Sequence, residues 1–478
     1  MRSDWKEFTV DELIKDGIIE KPLDGNHGGI HPKSGDFTEK GVPFIMASDL
    51  INRRVDYSNC KFISQLQAET LRKGFAKSGD VLLTHKATIG RTAIIQESEY
   101  ETTILTPQVT YYRVKDGDRL DNHYLFYYFN SRGFQGIFDQ WSGGGSTRKY
   151  LGITGQLKLP IILPPLPEQK AIAHILGTLD DKIELNRQMN ETLEEMAQAL
   201  FKSWFVDFDP VIDKALAAGN EIPEPLLQKT EKRKSVPDDQ KVIHTNPELA
   251  AHFPDSFTFT EELGWIPEGW EIGTIDDSTT LIIDHRGKTP SKLGSDWVNN
   301  GIPAISAKNI KSGKLVNTES IKFVDEPLYS KWMREKLIAG DIIMTSEAPM
   351  GEMYYLPEKT DYVLSQRLYA LRAINTLTST FLYSWLESPV AKQDLESRCT
   401  GTTVTGIKQS ELRKVVVLKP ISQLTNKYHD TVFKFKLKQA ANTKESNQLE
   451  KIRNILLPKL ISGELRVPEA EKIIADHV

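Results

Sequence analysis

The side chains best equipped for chemistry in this chain are hydrogen-bond donors and acceptors on glycine-containing loops, and they come in two sets. The first comprises Lys86, Thr88 and Arg91 around Gly90, Gln108 in Leu105-Thr-Pro-Gln, and Ser146, Thr147, Arg148 and Lys149 in a glycine-rich loop. The second comprises Ser346 and Glu347 before Gly351, Gln366 and Arg367 after Leu364-Ser, and Thr402, Thr403 and Lys408. Groups of this kind recognise a polar partner. Catalytic spacings are missing: there is no Gly-x-x-x-x-Gly-Lys-Ser/Thr loop, because in Gly143-Gly-Gly-Ser-Thr-Arg-Lys the lysine does not follow the last glycine, and there is no Gly-x-Gly-x-x-Gly, His-Glu-x-x-His or Asn/Asp-Pro-Pro-aromatic motif. The ten histidines are scattered; His85 reads as a loop residue and His174 as packing near a helix seam. The chain is expected to bind rather than to catalyse.

The elements that position these sets are themselves duplicated. Gly41-Val-Pro-Phe-Ile returns as Gly301-Ile-Pro-Ala-Ile, the Ser-Gly-Asp80-Val-Leu-Leu-Thr run as Ala-Gly-Asp341-Ile-Ile-Met-Thr, and Leu125-Phe-Tyr-Tyr-Phe-Asn-Ser as Phe381-Leu-Tyr-Ser-Trp-Leu-Glu-Ser. Short β-branched runs separated by Gly-Asp turns, with one helix near 121–132 and another near 378–388, make each copy a mixed α/β unit. Each copy leads into a long amphipathic helix, 163–207 and 418–461. In the first, Ile172, Leu179, Asn186, Leu193 and Leu200 keep a seven-residue spacing, and Tyr428, Phe435, Asn442, Leu449 and Leu456 repeat it 256 positions on. Such a spacing defines a coiled-coil seam, and a single Asn within one sets register. Because one helix leaves the first unit and the other returns from the second, packing would make them antiparallel and bring Asn186 and Asn442 together at a pseudo-two-fold axis. Six prolines from Pro210 to Pro254 mark 207–262 as a meandering connector, with Glu231-Lys-Arg-Lys as a solvated charge run.

Charge alone does not advertise a polyanion partner. The net charge is −5, with 21 Lys and Arg against 20 Asp and Glu in residues 1–166 and 19 against 22 in residues 255–420, so any nucleic-acid affinity must come from local clusters or from partner proteins. The two cysteines, Cys60 and Cys399, have no metal-ligand spacing and stand in separate units, which disfavours a zinc site or a disulfide framework. No apolar run approaches the roughly 18 residues a transmembrane helix needs, and the first residues lack a signal-peptide core. A cytoplasmic location is the expectation.

Leu163-Pro-Pro-Leu-Pro-Glu-Gln-Lys-Ala-Ile-Ala-His-Ile-Leu, followed by Leu179-Asp-Asp-Lys-Ile and Leu200-Phe-Lys-Ser-Trp-Phe-Val-Asp-Phe, resembles the central spacer of the specificity subunits of Type I restriction-modification systems. Glu262-Leu-Gly-Trp-Ile-Pro-Glu-Gly-Trp and Leu457-Pro-Lys-Leu-Ile-Ser-Gly-Glu-Leu are similar to the segments that open the second recognition domain and close the chain in that family. The second spacer begins Lys419-Pro-Ile-Ser-Gln-Leu and departs from the pattern. The resemblance implies target recognition domains at 1–162 and 262–417, a central spacer helix at 163–207, a connector at 208–261, a distal spacer at 418–465 and a tail at 466–478. It further implies a bipartite double-stranded DNA target, two methyltransferase subunits docked on the spacers, and two motor and nuclease subunits for restriction. S-adenosylmethionine, ATP and magnesium would sit on those partners, and this chain would hold no cofactor and no metal. On that reading Lys86, Thr88, Arg91, Gln108, Ser146, Thr147, Arg148, Lys149, Ser346, Gln366, Arg367, Thr402, Thr403 and Lys408 are the DNA-contacting candidates, since Arg or Lys suits guanine, Asn or Gln adenine, and Ser or Thr either. A duplicated scaffold that binds proteins is the alternative; a single-chain restriction enzyme would need motifs the chain lacks.

Overall fold

A computed structural model describes residues 4–143, 149–401 and 405–475. The chain divides into two compact units, Met1–Asn186 with Glu445–Val478, and Arg187–Lys444. Each unit therefore owns one globular module and one half of each long helix.

In the first unit a four-stranded antiparallel sheet carries the functional loops. Its strands are β1 (Leu23–Asp24), β2 (Val81–Thr84), β3 (Thr92–Ile94) and β4 (Val109–Tyr112), ordered β3-β2-β4-β1. All four residues of β2 are buried, and the period-two pleat sends them to two different cores. Val81 and Leu83 join Tyr124, Phe129 and Phe134 of the helices Asn122–Asn130 and Arg132–Trp141, while Leu82 joins Ile45, Leu105 and Tyr111 on the other face. A strand covered on both faces has no need of alternation, which is why this run is continuously apolar. A second, five-stranded sheet holds Val42–Ile45 beside Thr103–Leu105 in parallel. Lys6–Thr9 pairs with Pro160–Leu163, so the two ends of the module meet just before the long helix begins.

The second unit repeats this plan with β5 (Thr279–Asp284), β6 (Ile342–Thr345), β7 (Met353–Tyr355) and β8 (Leu368–Ala373), ordered β5-β8-β6-β7. Ile342 and Met344 face Phe381, Leu382 and Trp385; Ile343 faces Ala304 and Ile305. The first turn of each sheet is tied by the same buried pair. Arg113 Nε and Nη2 donate to Asp80 at 2.8 and 2.7 Å, and Arg372 Nε and Nη2 to Asp341 at 2.8 and 2.8 Å, with both carboxylates 1% exposed.

The long helices are α1 (Leu166–Phe201), extended by a π-helical turn at Lys202–Val206, and α2 (Ser422–Ile461). Residues 163 and 418–419, which the heptad pattern includes, belong instead to strands Pro160–Leu163 and Val416–Lys419. In the first unit, Ile172, Ile175, Leu176 and Leu179 share a core with Leu449, Ile452, Leu456 and Leu460. Arg53 and Arg453 both reach Asp180. Asn186, 1% exposed, donates to Glu445 at 2.8 Å and to Ser446 Oγ at 3.4 Å. In the second unit Asn442 donates to Asn190 Oδ1 at 2.9 Å, Gln439 to the Asn190 carbonyl at 2.9 Å and Lys436 to Glu194 at 2.6 Å. Rising numbers on α1 meet falling numbers on α2 in each unit, so the segments are antiparallel. Two expected packing residues point away: His174 is exposed and Met196 is 50% exposed, Ala197 being buried in its place.

The 207–262 segment is more regular than its prolines suggest. It holds helices at Asp209–Ala218, Leu227–Lys234, Val242–Thr245 and Pro247–Ala250, then a hairpin of Phe257–Thr260 with Gly264–Pro267. Pro210 and Pro247 occupy the first turn of their helices, where a missing N–H costs nothing. Nor is the charge run wholly solvated: Arg233, 10% exposed along its side chain, pairs with Asp213 at 2.7 Å.

Candidate nucleic-acid interface

Strand pairing brings one end of each sheet together as a loop cluster. In the first unit Asp24 lies opposite Thr110 and Thr84 opposite Val109, so the loops after β1 and β2 and before β4 leave from the same edge. The 85–91 loop is closed by backbone: Gly90 N–H donates to the Thr84 carbonyl at 2.8 Å, and Thr84 Oγ1 accepts from Arg91 N–H at 2.9 Å. Gly90 has φ +80°, and a β-carbon would run into the Gln135 side chain, so glycine is required. His85 N–H donates to the Gln108 carbonyl at 2.9 Å, Leu151 N–H to the His85 carbonyl at 3.0 Å, and Ala87 N–H to the Lys149 carbonyl at 3.2 Å. Lys86 bridges Tyr150. Lys86, Thr88, Gln108 and Lys149, remote in sequence, thus share one surface.

Their environments differ. Lys86 and Thr88 are exposed, and Lys86 makes no ion pair with any described residue. Lys149 is paired with Asp139. Arg91 is anchored through Nη1 to the Ala47 carbonyl at 3.2 Å. Ser146, Thr147 and Arg148 lie outside the described residues, as do Thr402 and Thr403. His85 is not a surface loop residue: it is 0% exposed, because the β2 backbone continues one step past Thr84 to pair on both sides. Its Nδ1 meets the Leu151 carbonyl at 3.1 Å and its Nε2 stands 3.9 Å from Asp24. Burial lowers its pKa, opposed by the Asp24 charge. Burial pushes the Asp24 carboxyl upward, but hydrogen bonds from Lys73 and His27 prevail and hold it below the usual range.

The second unit builds the same frame with different side chains. Gly351 N–H donates to the Thr345 carbonyl at 3.0 Å and Thr345 Oγ1 accepts from Glu352 N–H at 2.9 Å. Ser346 N–H donates to the Arg367 carbonyl and Ile407 N–H to the Ser346 carbonyl, at 2.8 and 2.9 Å, while Glu347 bridges Gly406. By backbone role, His85 corresponds to Ser346, Lys86 to Glu347, Arg91 to Glu352 and Gln108 to Arg367. Two expectations shift as a result. Gln108 finds its counterpart in Arg367 rather than Gln366. Ser346 is 2% exposed, so the exposed place belongs to Glu347. Arg367, exposed at φ +66°, pairs with Glu347 at 2.8 Å. Gln366 and Lys408 are exposed, Lys408 at the start of the Gln409–Leu412 helix.

Sequence reasoning passed over the loop after β5. Arg286 makes two bonds to Asp284, at 2.9 and 2.7 Å, and lies 4.5 Å over the Tyr369 ring; Lys288 and Lys292 follow. Three cations within seven residues were a visible signal. Among the described residues no cluster of His, Cys, Asp and Glu could hold a metal ion, and no helix is long and apolar enough to cross a membrane.

Fold and loop frame together define a duplicated recognition module, and comparison with known proteins agrees. A family model described as Type I restriction modification DNA specificity domain matches residues 2–195 and 267–456. The chain belongs to that family. It is 26% identical to the Type I restriction enzyme HindI specificity subunit of Haemophilus influenzae, over 97% of this chain and 100% of the relative. It is 25% identical to the MjaIX specificity subunit of Methanocaldococcus jannaschii, over 98% of each. A crystal structure of a Type I restriction-modification S subunit from M. genitalium shares the fold, with TM-score 0.55 at 15% identity over 96% of this chain and 97% of that one.

Proposed function

We propose that the chain reads a bipartite double-stranded DNA sequence, one half-site per unit, as the non-catalytic specificity subunit of a Type I restriction-modification complex in the cytoplasm. The observation that carries this reading is the loop frame made twice from the same backbone bonds, with Lys86, Arg91 and Gln108 in one copy where the other has Glu347, Glu352 and Arg367. A shared scaffold with diverged side chains is what reading two different base sequences requires. The long helices would dock two methyltransferase subunits, and two motor and nuclease subunits would join for cleavage. S-adenosylmethionine, ATP and magnesium would be held by those partners.

The test is an exchange of residues 1–162 for the matching segment of a related subunit, followed by methylome mapping in the host. One half of the methylated sequence is expected to change and the other to persist. Alteration of both halves, or of neither, rejects the assignment; a protein-binding scaffold predicts no sequence-dependent methylation at all.

A further inference from the structure

The loop after β5 packs against the turn that follows helix Glu326–Trp332, and together they gather four cations without a countercharge. Lys288 Nζ donates to the Trp332 carbonyl at 3.1 Å, Lys292 Nζ to the Gly287 carbonyl at 2.8 Å and Lys331 Nζ to the Leu293 carbonyl at 2.5 Å. Arg334 is exposed, and among the described residues no carboxylate pairs with any of the four. The neighbouring acids are engaged elsewhere: Asp284 with Arg286, Asp296 with the Trp297 N–H, and Glu335 through its charge with Arg372. Most other cations of the unit's surface are paired, as Lys392 with Glu387, Arg398 with Asp394 and Arg413 with Asp276.

A carbonyl contact fixes an ammonium group without cancelling its charge. Burial and the charge of Arg334 both hold the Lys288 pKa below its ordinary value, so the like charges are felt. Clustering cations in this way opposes folding by self-repulsion and favours a polyanion. The matching place in the first unit is neutralised: Lys73 and His27 pair with Asp24, and Asn26 bonds both the Lys73 carbonyl and the Arg72 N–H. We propose that Lys288, Lys292, Lys331 and Arg334 seat the DNA phosphate backbone and give the second unit a sequence-independent grip that the first lacks at this place. The proposal rests on the DNA-reading function above and adds to it how the two units divide affinity.

The experiment measures retention of a target-bearing and a scrambled duplex by the full chain assembled with its methyltransferase subunits, by fluorescence anisotropy across a salt series. K292Q/R334Q should weaken both duplexes by the same factor and lower the slope of log affinity against log salt by about two, roughly 0.9 for each phosphate released. The charge-retaining K292R/R334K should keep the wild-type slope, and so should K392Q, which removes a paired charge elsewhere. An unchanged slope for K292Q/R334Q overturns the proposal, as does a loss confined to the target duplex, or lost subunit assembly with DNA retention intact. A wild-type complex that retains neither duplex overturns the DNA-reading function as well; one that discriminates the target while K292Q/R334Q behaves identically overturns this proposal alone.

Discussion

The ends of the two sheets share a backbone and differ in charge. Thr84 and Thr345 close the same loop with the same bonds, at 2.9 Å to the N–H seven residues on. Yet the exposed position next along is Lys86 in one unit and Glu347 in the other. The lesson is that the frame is conserved by hydrogen bonding between main-chain groups, which tolerates any side chain, whereas recognition is carried by the side chains the frame displays. Lys86 makes no ion pair with a described residue, and Glu347 holds Arg367. A lone cation suits the acceptors of guanine; a carboxylate suits the amino group of cytosine.

The strongest way to break this comparison is to remove the tie that both units share. Asp80→Ala should destabilise the first unit and Asp341→Ala the second, each by about 3 kcal/mol or more, because each strands a largely buried guanidinium. Hydrogen exchange resolved by residue would register the loss in the mutated unit alone. Equal loss in both would mean the frames do not stand independently.

Acid should separate the units next. His285 is 8% exposed, and burial, aided by Lys288 and opposed by Asp284, lowers its pKa to about 4. The unfolded chain therefore takes up the proton first, so stability contributed by neutral His285 is complete above about pH 6.5 and falls as pH drops towards 4, by up to about 3 kcal/mol. In the first unit the matching residue is Gly25, and its buried histidine, His85, has Asp24 beside it to ease protonation. Melts between pH 4 and 7 should show the second unit losing protection first, and His285→Gln should flatten that dependence. A first unit that yields earlier would contradict the assignment of His285.

The smallest effects concern single base pairs. Lys86→Ala should relax one position in one half-site and Glu347→Ala one position in the other, each by about 1–3 kcal/mol. Methylome mapping of the two variants would show it. Uniform weakening across all sequences would instead make Lys86 a phosphate contact.

Much of the architecture was legible in the amino-acid sequence by itself. The repeated Gly-Asp turns, the paired heptads with Asn186 and Asn442 and the continuous apolar runs at Val81 and Ile342 report local periodicity and turn chemistry, which neighbouring residues encode. The helices of 207–262 were hidden because proline reads as a breaker until its place in the first turn is known. Only the tertiary structure decided that Lys86 stands where Glu347 does, that Gln108 answers to Arg367, that His85 and Ser346 are buried, and that Lys288 meets Trp332. Each of those facts depends on which distant strand or turn lies alongside. Loop lengths differ between the copies, so counting along the chain drifts by a residue or more, and only pairing across the sheet restores the alignment.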